Sequence, residues 1–308
     1  MNILVTGAGG FIGRRLARKL GSEHKVYGLI HDLHPWPEKW IPLQGDIQNY
    51  PRMLEILVDR EIHYVYHLAA KSIVRNCKSD PIGCFQTNVM GTVNILEAAR
   101  HSDTVQGVMC AESDKSYGSG PVPYVEDQAL RPGSVYEASK ACVTHVARAF
   151  FENYGVPVFT VRSANVYGPG DENMTRLIPN TITRLLRGEA PQITAGAERF
   201  VREFFFLDDF VETSVALMEK RPWGEAFNVG TGETMTVDAV VRLICELVGR
   251  TIDFEEWPRP SGLVEIAEQV LCLDKLNQWV PGRKPRGMRE GLVETIRWYK
   301  DNLRCPWT

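Results

Sequence analysis

Short apolar runs alternate with amphipathic stretches through the first half of the 308-residue chain. The apolar runs predict five strands, at Ile3–Thr6, Lys25–Leu29, Ile62–His67, Gln106–Cys110 and Pro157–Arg162. Helical periodicity between them predicts helices at Phe11–Leu20, Pro51–Asp59, Pro81–Arg100 and Val135–Tyr154. Strands that alternate with helices are typical of a parallel sheet covered on both faces. The pattern therefore predicts a doubly wound (Rossmann) α/β fold, in which ligands bind beyond the carboxyl ends of the strands.

The alternation of apolar and amphipathic stretches changes after about Arg162, where proline and glycine become frequent and the apolar segments shorten. We therefore expect a main domain over residues 1–167 and a smaller, mixed α+β substrate lobe over residues 168–308. A helical stretch at Phe210–Glu219 is expected to return to the main sheet, so the lobe is not expected to be independent.

Composition narrows the function classes. The net charge of −3 and the isoelectric point of about 6.2 give no bulk positive field for nucleic acid or a membrane surface. The sequence lacks an apolar run of about 18 residues, which predicts no membrane span. The N-terminus enters a strand without a charged region or cleavage site, so no signal peptide is expected. Seven cysteines without a C-x-x-C pair predict reduced thiols, and the expected compartment is the cytoplasm.

A glycine-rich loop joins the first predicted strand to the first predicted helix. Gly7, Gly10 and Gly13 fit the spacing G-x-x-G-x-x-G. Glycines permit a tight turn and close approach of the backbone to a pyrophosphate, and the helix N-terminus supplies free N–H donors. The loop therefore predicts a dinucleotide site in the main domain.

An acid after the second strand bears on the choice between NAD and NADP. Asp32 lies 19 residues past Gly13 (32 − 13 = 19), where it would bind a ribose hydroxyl and repel a 2′-phosphate, which favours NAD. If the strand ends earlier, Ile30 or His31 takes this place and NADP becomes possible. The pair Asp46-Ile47 follows the next strand and either meets the adenine edge or forms a simple strand-end turn.

Tyr136 and Lys140 lie four residues apart and therefore on the same face of a predicted helix. A tyrosine hydroxyl is a poor base at its ordinary pKa of about 10, and a nearby ammonium favours the phenolate. The upstream Ser113 hydroxyl can bind the same reacting oxygen. Together the three groups can take a proton from an alcohol while a hydride leaves its carbon. The Tyr-x-x-x-Lys spacing alone is also common on ordinary surface helices.

Several motifs match one known family along nearly the whole chain. They are Thr6-Gly7-x-x-Gly10-x-x-Gly13, Gly45-Asp46-Ile47, His67-Leu68-Ala69-Ala70, Thr87-Asn88-Val89-Met90-Gly91-Thr92, Ser113-Asp114-Lys115-x-Tyr117-Gly118, Tyr136-x-x-x-Lys140, Arg162-x-x-Asn165-Val166-Tyr167-Gly168, Arg202-Glu203-Phe204, Leu207-Asp208-Asp209 and Phe227-Asn228-Val229-Gly230. The chain thus resembles the extended short-chain dehydrogenase/reductase family, in particular its nucleotide-sugar epimerases and dehydratases. An intact Ser, Tyr and Lys set disfavours a non-catalytic dinucleotide-binding regulator.

The resemblance implies roles for further residues. The cofactor site would include Gly7, Gly10, Phe11, Ile12, Gly13, Asp32, Asp46, Ile47, Leu68, Ala69, Ala70, Tyr136 and Lys140. A sugar nucleotide in the C-terminal lobe would meet Lys71, Asn88, Asn165, Arg176, Arg202 and Arg259. Arg202 and Arg259 would bind the diphosphate, because guanidinium groups bind phosphate bidentately. Family members pair the helices near residues 81–100 and 135–154 into a four-helix bundle, so we expect a homodimer.

The residues after Ser113 discriminate within the family. Epimerases and reductases usually carry small or non-ionisable residues there, whereas 4,6-dehydratases carry an acid–base pair. Thr-Asp-Glu marks dTDP-glucose dehydratases. Ser113-Asp114-Lys115 is more similar to CDP-glucose 4,6-dehydratases and to inverting UDP-N-acetylglucosamine dehydratases. The stretch from Asn165 to Asp171 also resembles the CDP-glucose enzymes, although this chain is shorter and lacks their insertion between the Ser and Tyr motifs.

The resemblance therefore implies a nucleotide-sugar 4,6-dehydratase that works by internal redox chemistry. Tyr136, assisted by Ser113, would take the O4 proton while the C4 hydride leaves. Lys115 would remove the C5 proton, and a protonated Asp114 would donate to the leaving 6-hydroxyl. The alternative is a C4-epimerase or 4-ketosugar reductase on the same scaffold, in which Asp114 and Lys115 form only a local ion pair.

Overall fold

The computed structural model describes residues 1–31, 39–250, 255–258 and 266–302. The strands are β1 (Asn2–Thr6), β2 (Lys25–Ile30), β3 (Ile41–Gln44), β4 (Tyr64–His67), β5 (Gly107–Ser113), β6 (Val158–Ser163), β7 (Asn165–Tyr167), β8 (Gln192–Thr194), β9 (Val201–Phe206), β10 (Ala226–Val229), β11 (Thr234–Thr236) and β12 (Glu255–Trp257). The helices are α1 (Phe11–Leu20), α2 (Tyr50–Asp59), α3 (Val74–Ser79), α4 (Pro81–Phe85), α5 (Gly91–Arg100), α6 (Val135–Tyr154), α7 (Leu177–Leu186), α8 (Leu207–Lys220), α9 (Val237–Val248), α10 (Asp274–Trp279) and α11 (Met288–Asn302). A π-helical turn spans Gln86–Met90, and a 3₁₀ turn spans Asp114–Tyr117.

Seven parallel strands form the main sheet, in the order β10-β6-β5-β4-β1-β2-β3. Strand β1 pairs with β2 on one side and with β4 on the other, so the strand order reverses at β1. Thr6 and His67 are partners at the carboxyl ends of β1 and β4. Ligands of doubly wound sheets bind at such a switch point. The predicted fold class is confirmed.

Alternation along each central strand builds a core on both faces of the sheet. On β1, Ile3 and Val5 join one apolar cluster, whereas Leu4 between them joins the cluster on the opposite face. On β5, Met109 and Val108 divide in the same way. Successive side chains of a strand point to opposite faces, so a strand covered by helices on both sides is apolar throughout.

The smaller sheets lie in the second half of the chain. Strand β9 pairs in parallel with β7 and antiparallel with β11, while β8 pairs in parallel with β12. Their core includes residues of α7, α9 and α11, such as Ile182, Val240 and Ile296. This confirms the smaller, mixed sheet that the sequence predicts. Strand β10 returns to the main sheet beside β6, and α8 packs against α1.

Two differences from the sequence-based expectations lie close to the candidate site. Strand β5 continues to Ser113, three residues past the predicted end at Cys110, because Glu112 and Ser113 pair in register with Arg162 and Ser163 of β6. The predicted helix at Pro81–Arg100 is interrupted by the π-helical turn, which turns Asn88 into the interior. Within the described residues, we find no helix that is long and apolar enough to cross a membrane.

Residues 266–272, called the crossing segment here, run between β9 and Tyr124. On one side, Val201 N donates to Ala267 O (2.9 Å) and Gln269 N donates to Val201 O (3.1 Å). On the other side, Tyr124 N donates to Val270 O at 2.7 Å. The crossing segment therefore lies between β9 and Tyr124, and its Gln269 side chain contacts Asp114, the residue that follows β5.

Candidate active site

The glycine-rich loop forms a cradle between β1 and α1. Gly7 has a φ of +69°, and a Cβ there would lie 2.9 Å from Ala69 N. A Cβ on Gly13 would lie 2.1 Å from Gly7 O, so only glycine lets the helix start this close to the loop. Helix α1 begins at Phe11 with no side-chain cap and no acid in its first turn. Its free N–H groups and partial positive charge suit the pyrophosphate of a dinucleotide.

A hydrogen-bond network around His67 fixes the loop beside this cradle. The Thr6 hydroxyl lies 2.8 Å from His67 Nδ1 and accepts from the backbone N–H groups of Leu68 and Ala69, both at 3.1 Å. Thr92 Oγ1 donates to a backbone carbonyl and lies 3.2 Å from His67 Nε2. His67 must therefore carry its proton on Nε2 and accept from Thr6 on Nδ1. Burial lowers the pKa of His67 to about 3, which keeps the ring neutral.

The other residues expected at the cofactor site differ in their contacts and burial. The carboxylate of Asp46 accepts from Gln48 N (2.9 Å), which is the strand-end turn that the sequence left open as an alternative. Ile47 is buried, and its carbonyl accepts from the Asn94 side chain at 2.9 Å. Ile12 and Ala70 are half-buried beside the cradle and its neighbouring loop. Asp32 lies outside the described residues, so its predicted contact with the ribose stays a prediction.

A capping box starts α6 just ahead of Tyr136. Ser134 Oγ accepts from Glu137 N at 3.3 Å, and the Glu137 carboxylate accepts from Ser134 N at 3.0 Å. Two orphan N–H groups of the helix terminus are thereby satisfied, which fixes the first turn of the helix. Tyr136 occupies this first turn, where its side chain is almost fully buried.

Burial raises the pKa of Tyr136, whereas Ser113 at the end of β5 and the charge of Arg176 oppose that rise. The buried Lys140 ammonium donates to Ala111 O at 2.9 Å, so it ties α6 to β5 two residues before Ser113. Burial lowers the pKa of Lys140. The direct effect of Lys140 on the phenol stays a prediction.

Asn88 links the loop after β4 to the helix that carries Tyr136. Its Oδ1 accepts from Lys71 N (2.7 Å), and its Nδ2 donates to Ser139 Oγ (2.8 Å). The Ser139 hydroxyl in turn donates to Tyr136 O (2.7 Å). The Lys71 ammonium pairs with Asp80 at the surface. Protein groups thus occupy the Asn88 amide, and its expected contact with substrate stays a prediction.

Asp114 is a buried carboxyl beside Ser113, with an exposed fraction of 2%. Ser113 Oγ donates to its Oδ1 at 3.2 Å, and Gln269 Nε2 donates to its Oδ2 at 3.0 Å. Burial raises the pKa of Asp114 to about 6, against the opposing effects of the Lys115 charge and the Ser113 hydrogen bond. The buried Glu203 adds a smaller rise. Asp114 therefore has a pKa suited to proton donation near neutral pH.

Sequence reasoning missed Gln269 and assigned no role to Glu203. A glutamate within the apolar strand Val201–Phe206 is a signal that a buried carboxylate has a structural partner. Three backbone N–H groups bind the Glu203 carboxylate: those of Thr231, Gly232 and Leu271. Gln269 gave no comparable local signal.

Two of the arginines expected to bind the substrate have partners in the second half of the chain. Arg176 pairs with Asp171 at 2.9 Å and lies 5.9 Å from the centre of the Phe11 ring, next to the cradle. Arg202 donates to the carbonyls of Val201 and Ala267, and its charge lowers the pKa of Asp114.

The side chain of Asn165 donates to the backbone carbonyl of Glu203 at 3.1 Å and so ties β7 to β9. The contacts of Asn165, Arg176 and Arg202 with a substrate stay predictions. Arg259 lies outside the described residues.

Known proteins resemble this chain in sequence and in overall fold. The family described as "NAD dependent epimerase/dehydratase family" matches residues 3–230. A dTDP-glucose 4,6-dehydratase of Xanthomonas campestris is 30% identical over 97% of this chain and 93% of its own length. The crystal structure of Bacillus anthracis dTDP-glucose 4,6-dehydratase in complex with NAD has a TM-score of 0.88 at 26% identity, over 99% of this chain and 98% of that one. The UDP-glucose 4-epimerase of Thermotoga maritima, solved with UDP-glucose, has a TM-score of 0.90 at 28% identity, over 98% and 100% of the two chains.

Proposed function

The chain belongs to the NAD dependent epimerase/dehydratase family, and on that premise we propose that it is a nucleotide-sugar 4,6-dehydratase. Its cofactor is NAD. One observation carries the proposal of dehydration: Asp114 is buried against Ser113, and its pKa is raised to about 6. A C4-epimerase needs no group that protonates a leaving hydroxyl, whereas a dehydratase does. The similar proteins include a dTDP-glucose 4,6-dehydratase and a UDP-glucose 4-epimerase, so they do not select one nucleotide base for the substrate.

The residues at the switch point fit the cofactor. The backbone of Gly7, Gly10 and Gly13 would face the pyrophosphate, where a Cβ would fill the cradle. The loop Leu68–Ala70, held by Thr6, would lie along the same side. When bound there, NAD would supply the site with a group that can take up and return a hydride.

Tyr136 would act first, as the base that takes the proton of the sugar 4-hydroxyl. The Ser113 hydroxyl, which lowers the pKa of Tyr136, would bind the same sugar oxygen and so orient the transfer. Burial of Tyr136 excludes water from the proton path. Asn88 and Ser139 hold the backbone of Tyr136, so the phenol has a fixed position.

Asp114 and Lys115 would act next, once C4 is a ketone and the C5–H bond has become acidic. Lys115 takes the C5 proton, and Asp114 gives its proton to the 6-hydroxyl. One C–H bond and one C–O bond break, a C5–C6 double bond forms, and water leaves. Both residues lie in the 3₁₀ turn that directly follows Ser113.

The sugar nucleotide would lie between the main sheet and the second lobe. We propose that Arg176, Arg202 and Arg259 meet its phosphates, because guanidinium groups suit phosphate oxygens. Asn165, Lys71 and Asn88 would contribute polar contacts around the sugar. The positions of Arg176 beside Phe11 and of Arg202 near Asp114 support this placement.

The C4-epimerase remains the second candidate, because the Thermotoga maritima UDP-glucose 4-epimerase shares the fold over nearly its whole length. Ser113, Tyr136 and Lys140 serve both reactions. The two candidates differ in product: dehydration removes one water from the sugar, whereas epimerisation leaves the mass unchanged. Incubation with CDP-glucose, dTDP-glucose, UDP-N-acetylglucosamine and GDP-mannose, followed by mass spectrometry, decides between them.

Substitutions at the acid–base pair test the mechanism. Asp114→Asn should block loss of water but still allow C4 oxidation, so enzyme-bound reduced nicotinamide accumulates and is visible by its absorbance. Lys115→Met should block exchange of the C5 hydrogen with deuterated solvent. Asp127→Asn, which changes an exposed acid, is the matched control. Full activity in both Asp114→Asn and Lys115→Met would contradict dehydration and favour an epimerase or reductase.

We also propose a homodimer in the cytoplasm. The apolar side chains of Ile82, Phe85 and Met90 are exposed on the stretch that the sequence assigns to the dimer interface. The compartment is supported by the cysteines, six of which the structure describes as free thiols.

A further inference from the structure

A side-chain amide from the crossing segment holds the proposed acid. Gln269 is fully buried, and its Nε2 donates to Asp114 Oδ2 at 3.0 Å. Its other end is unusual, because Oε1 is buried and accepts no hydrogen bond from the described part of the chain. Buried side-chain amides normally satisfy both ends, and an apolar side chain of similar size would fill the same space without an orphaned oxygen. The hydrogen bond that the Gln269 amide makes is therefore the one that its N–H group donates to Asp114.

The backbone gives Gln269 little freedom to leave Asp114. Gln269 N donates to Val201 O at 3.1 Å, which ties it to β9. The next residue along, Val270, accepts from Tyr124 N at 2.7 Å. Hydrogen bonds to a strand on one side and to a loop on the other therefore fix the direction of the Gln269 side chain.

The two oxygens of Asp114 face different partners. Oδ2 accepts from Gln269, and an oxygen that accepts a fixed N–H donor is a poor place for the acidic proton. Oδ1 accepts from the Ser113 hydroxyl at 3.2 Å, and this hydroxyl, unlike the amide N–H group, can rotate and accept a proton from Oδ1 instead. Oδ1 is thus the oxygen that can carry the acidic proton, on the side of Ser113 where the sugar would bind.

We propose that Gln269 is a positioning residue that occupies Asp114 Oδ2 and so directs the acidic proton to Oδ1, from which it reaches the leaving hydroxyl. This inference rests on the proposed dehydration. After the proton has left, the same N–H group stabilises the Asp114 carboxylate, so Gln269 serves the acid in both of its states.

Other charged and titratable groups also face Asp114, and each has a separate effect. Lys115 and Arg202 favour the carboxylate, whereas Glu203 favours the protonated form. Backbone N–H groups occupy the Glu203 carboxylate, so Glu203 acts on Asp114 through its charge. The phenols of Tyr124 and Tyr136 lie within the electrostatic reach of Asp114. Among these neighbours, Gln269 is the neutral group that donates to Oδ2.

Gln269→Met tests the inference, because methionine is unbranched and of similar length but offers no N–H donor. We expect loss of water to slow roughly 10- to 100-fold, as when partners that orient reacting groups are removed. The rate of C4 oxidation should stay unchanged, so reduced nicotinamide accumulates. The basic limb of the pH–rate profile for water loss should move to higher pH, because the carboxylate has lost a stabilising donor.

A matched control and a double variant separate positioning from packing. Gln128→Met removes another loop amide, which binds Val125 N and Pro121 O, and should leave both steps unchanged. In the Asp114→Asn background, Gln269→Met should have no further effect on any step. Gln269→Asn, one methylene shorter, gives the same test if the methionine variant does not fold.

A direct titration keeps the outcome independent of the proposed reaction. Carbon-13 NMR of labelled aspartate, with the signal assigned by its loss in Asp114→Asn, should show a higher Asp114 pKa in Gln269→Met than in the wild type. If the wild type releases no water from any sugar nucleotide, the proposed function fails, and this titration still judges Gln269. An unchanged titration, or an equal decrease of C4 oxidation and water loss, would overturn the role of Gln269.

Discussion

Arg162 and Glu112 form an ion pair inside the main sheet, with 2.7 Å between Nε and Oε2 and both side chains almost fully enclosed. The two residues are partners in the register of β6 and β5. Arg162 also donates to the hydroxyl of Tyr117 (2.8 Å). Because Glu112 directly precedes Ser113, this pair fixes the end of β5 at the point where the reacting groups begin.

Removal of the arginine should destabilise the fold. Arg162→Met leaves the Glu112 carboxylate buried without its charged partner, which typically costs about 3–5 kcal/mol of unfolding free energy. Urea denaturation of the purified protein measures the loss. The control is Arg148→Met, which breaks the exposed pair with Glu152 and should leave the free energy of unfolding nearly unchanged. Equal losses in the two variants would contradict the structural role of the buried pair.

Tyr136→Phe should abolish turnover and leave cofactor binding nearly unchanged. The hydroxyl carries the proton, whereas the ring packs against Cys77 and Cys84, and these contacts survive the substitution. Groups in such roles contribute about 10²–10⁴-fold to the rate. Steady-state rates and NAD binding by calorimetry measure the two effects, and Tyr154→Phe at an exposed position is the control. Activity within a factor of two of the wild type would remove Tyr136 from the mechanism.

His67 should make the fold sensitive to mild acid. Its pKa is about 3 in the folded chain and about 6.5 when unfolded, so between these values the unfolded chain binds the additional proton. Stability therefore falls as pH decreases below about 6.5. Between pH 7 and pH 5 the wild type should lose about 2 kcal/mol more than His67→Gln, measured by urea unfolding. The same loss in both proteins would show that another group causes the acid sensitivity.

The exposed apolar side chains of Ile82 and Met90 should be covered in a homodimer. We expect light scattering at micromolar concentration to give the mass of two chains, with a total buried area above roughly 1,200 Å². Ile82→Asp should shift the protein towards monomer, because a charge in the core of an interface is costly. Val293→Asp, on α11, changes an exposed apolar residue away from that stretch and is the control. A monomeric wild type would contradict the assembly.

The local patterns of the sequence predicted much of the fold. The glycine spacing predicted the cradle, because Gly7 and Gly13 are close in sequence and contact each other directly. Strand β10 was missed as an element of the main sheet, since its partner β6 lies more than 60 residues earlier. The end of β5 was missed for a similar reason: Glu112 is polar by local pattern and is buried only because Arg162 pairs with it.

In the candidate site too, contacts between residues close in sequence were predicted, whereas contacts between distant residues were missed. Helical spacing brought Tyr136 and Lys140 to one face, since both belong to one helix. Gln269 lies 155 residues from its partner Asp114, and no local pattern announces such a contact. The carbonyl of Ala111 as the partner of Lys140 was also beyond prediction, because backbone groups look the same at every position.

The crossing segment has a consequence for the order in which the chain matures during synthesis. The ribosome releases Asp114 long before Gln269, so a nascent chain with six complete strands still lacks the group that holds this carboxyl. Until Gln269 emerges, Asp114 Oδ2 lacks the side-chain N–H group that binds it. The nascent protein therefore completes the hydrogen bonds around its proton donor only after this C-terminal part has emerged and docked.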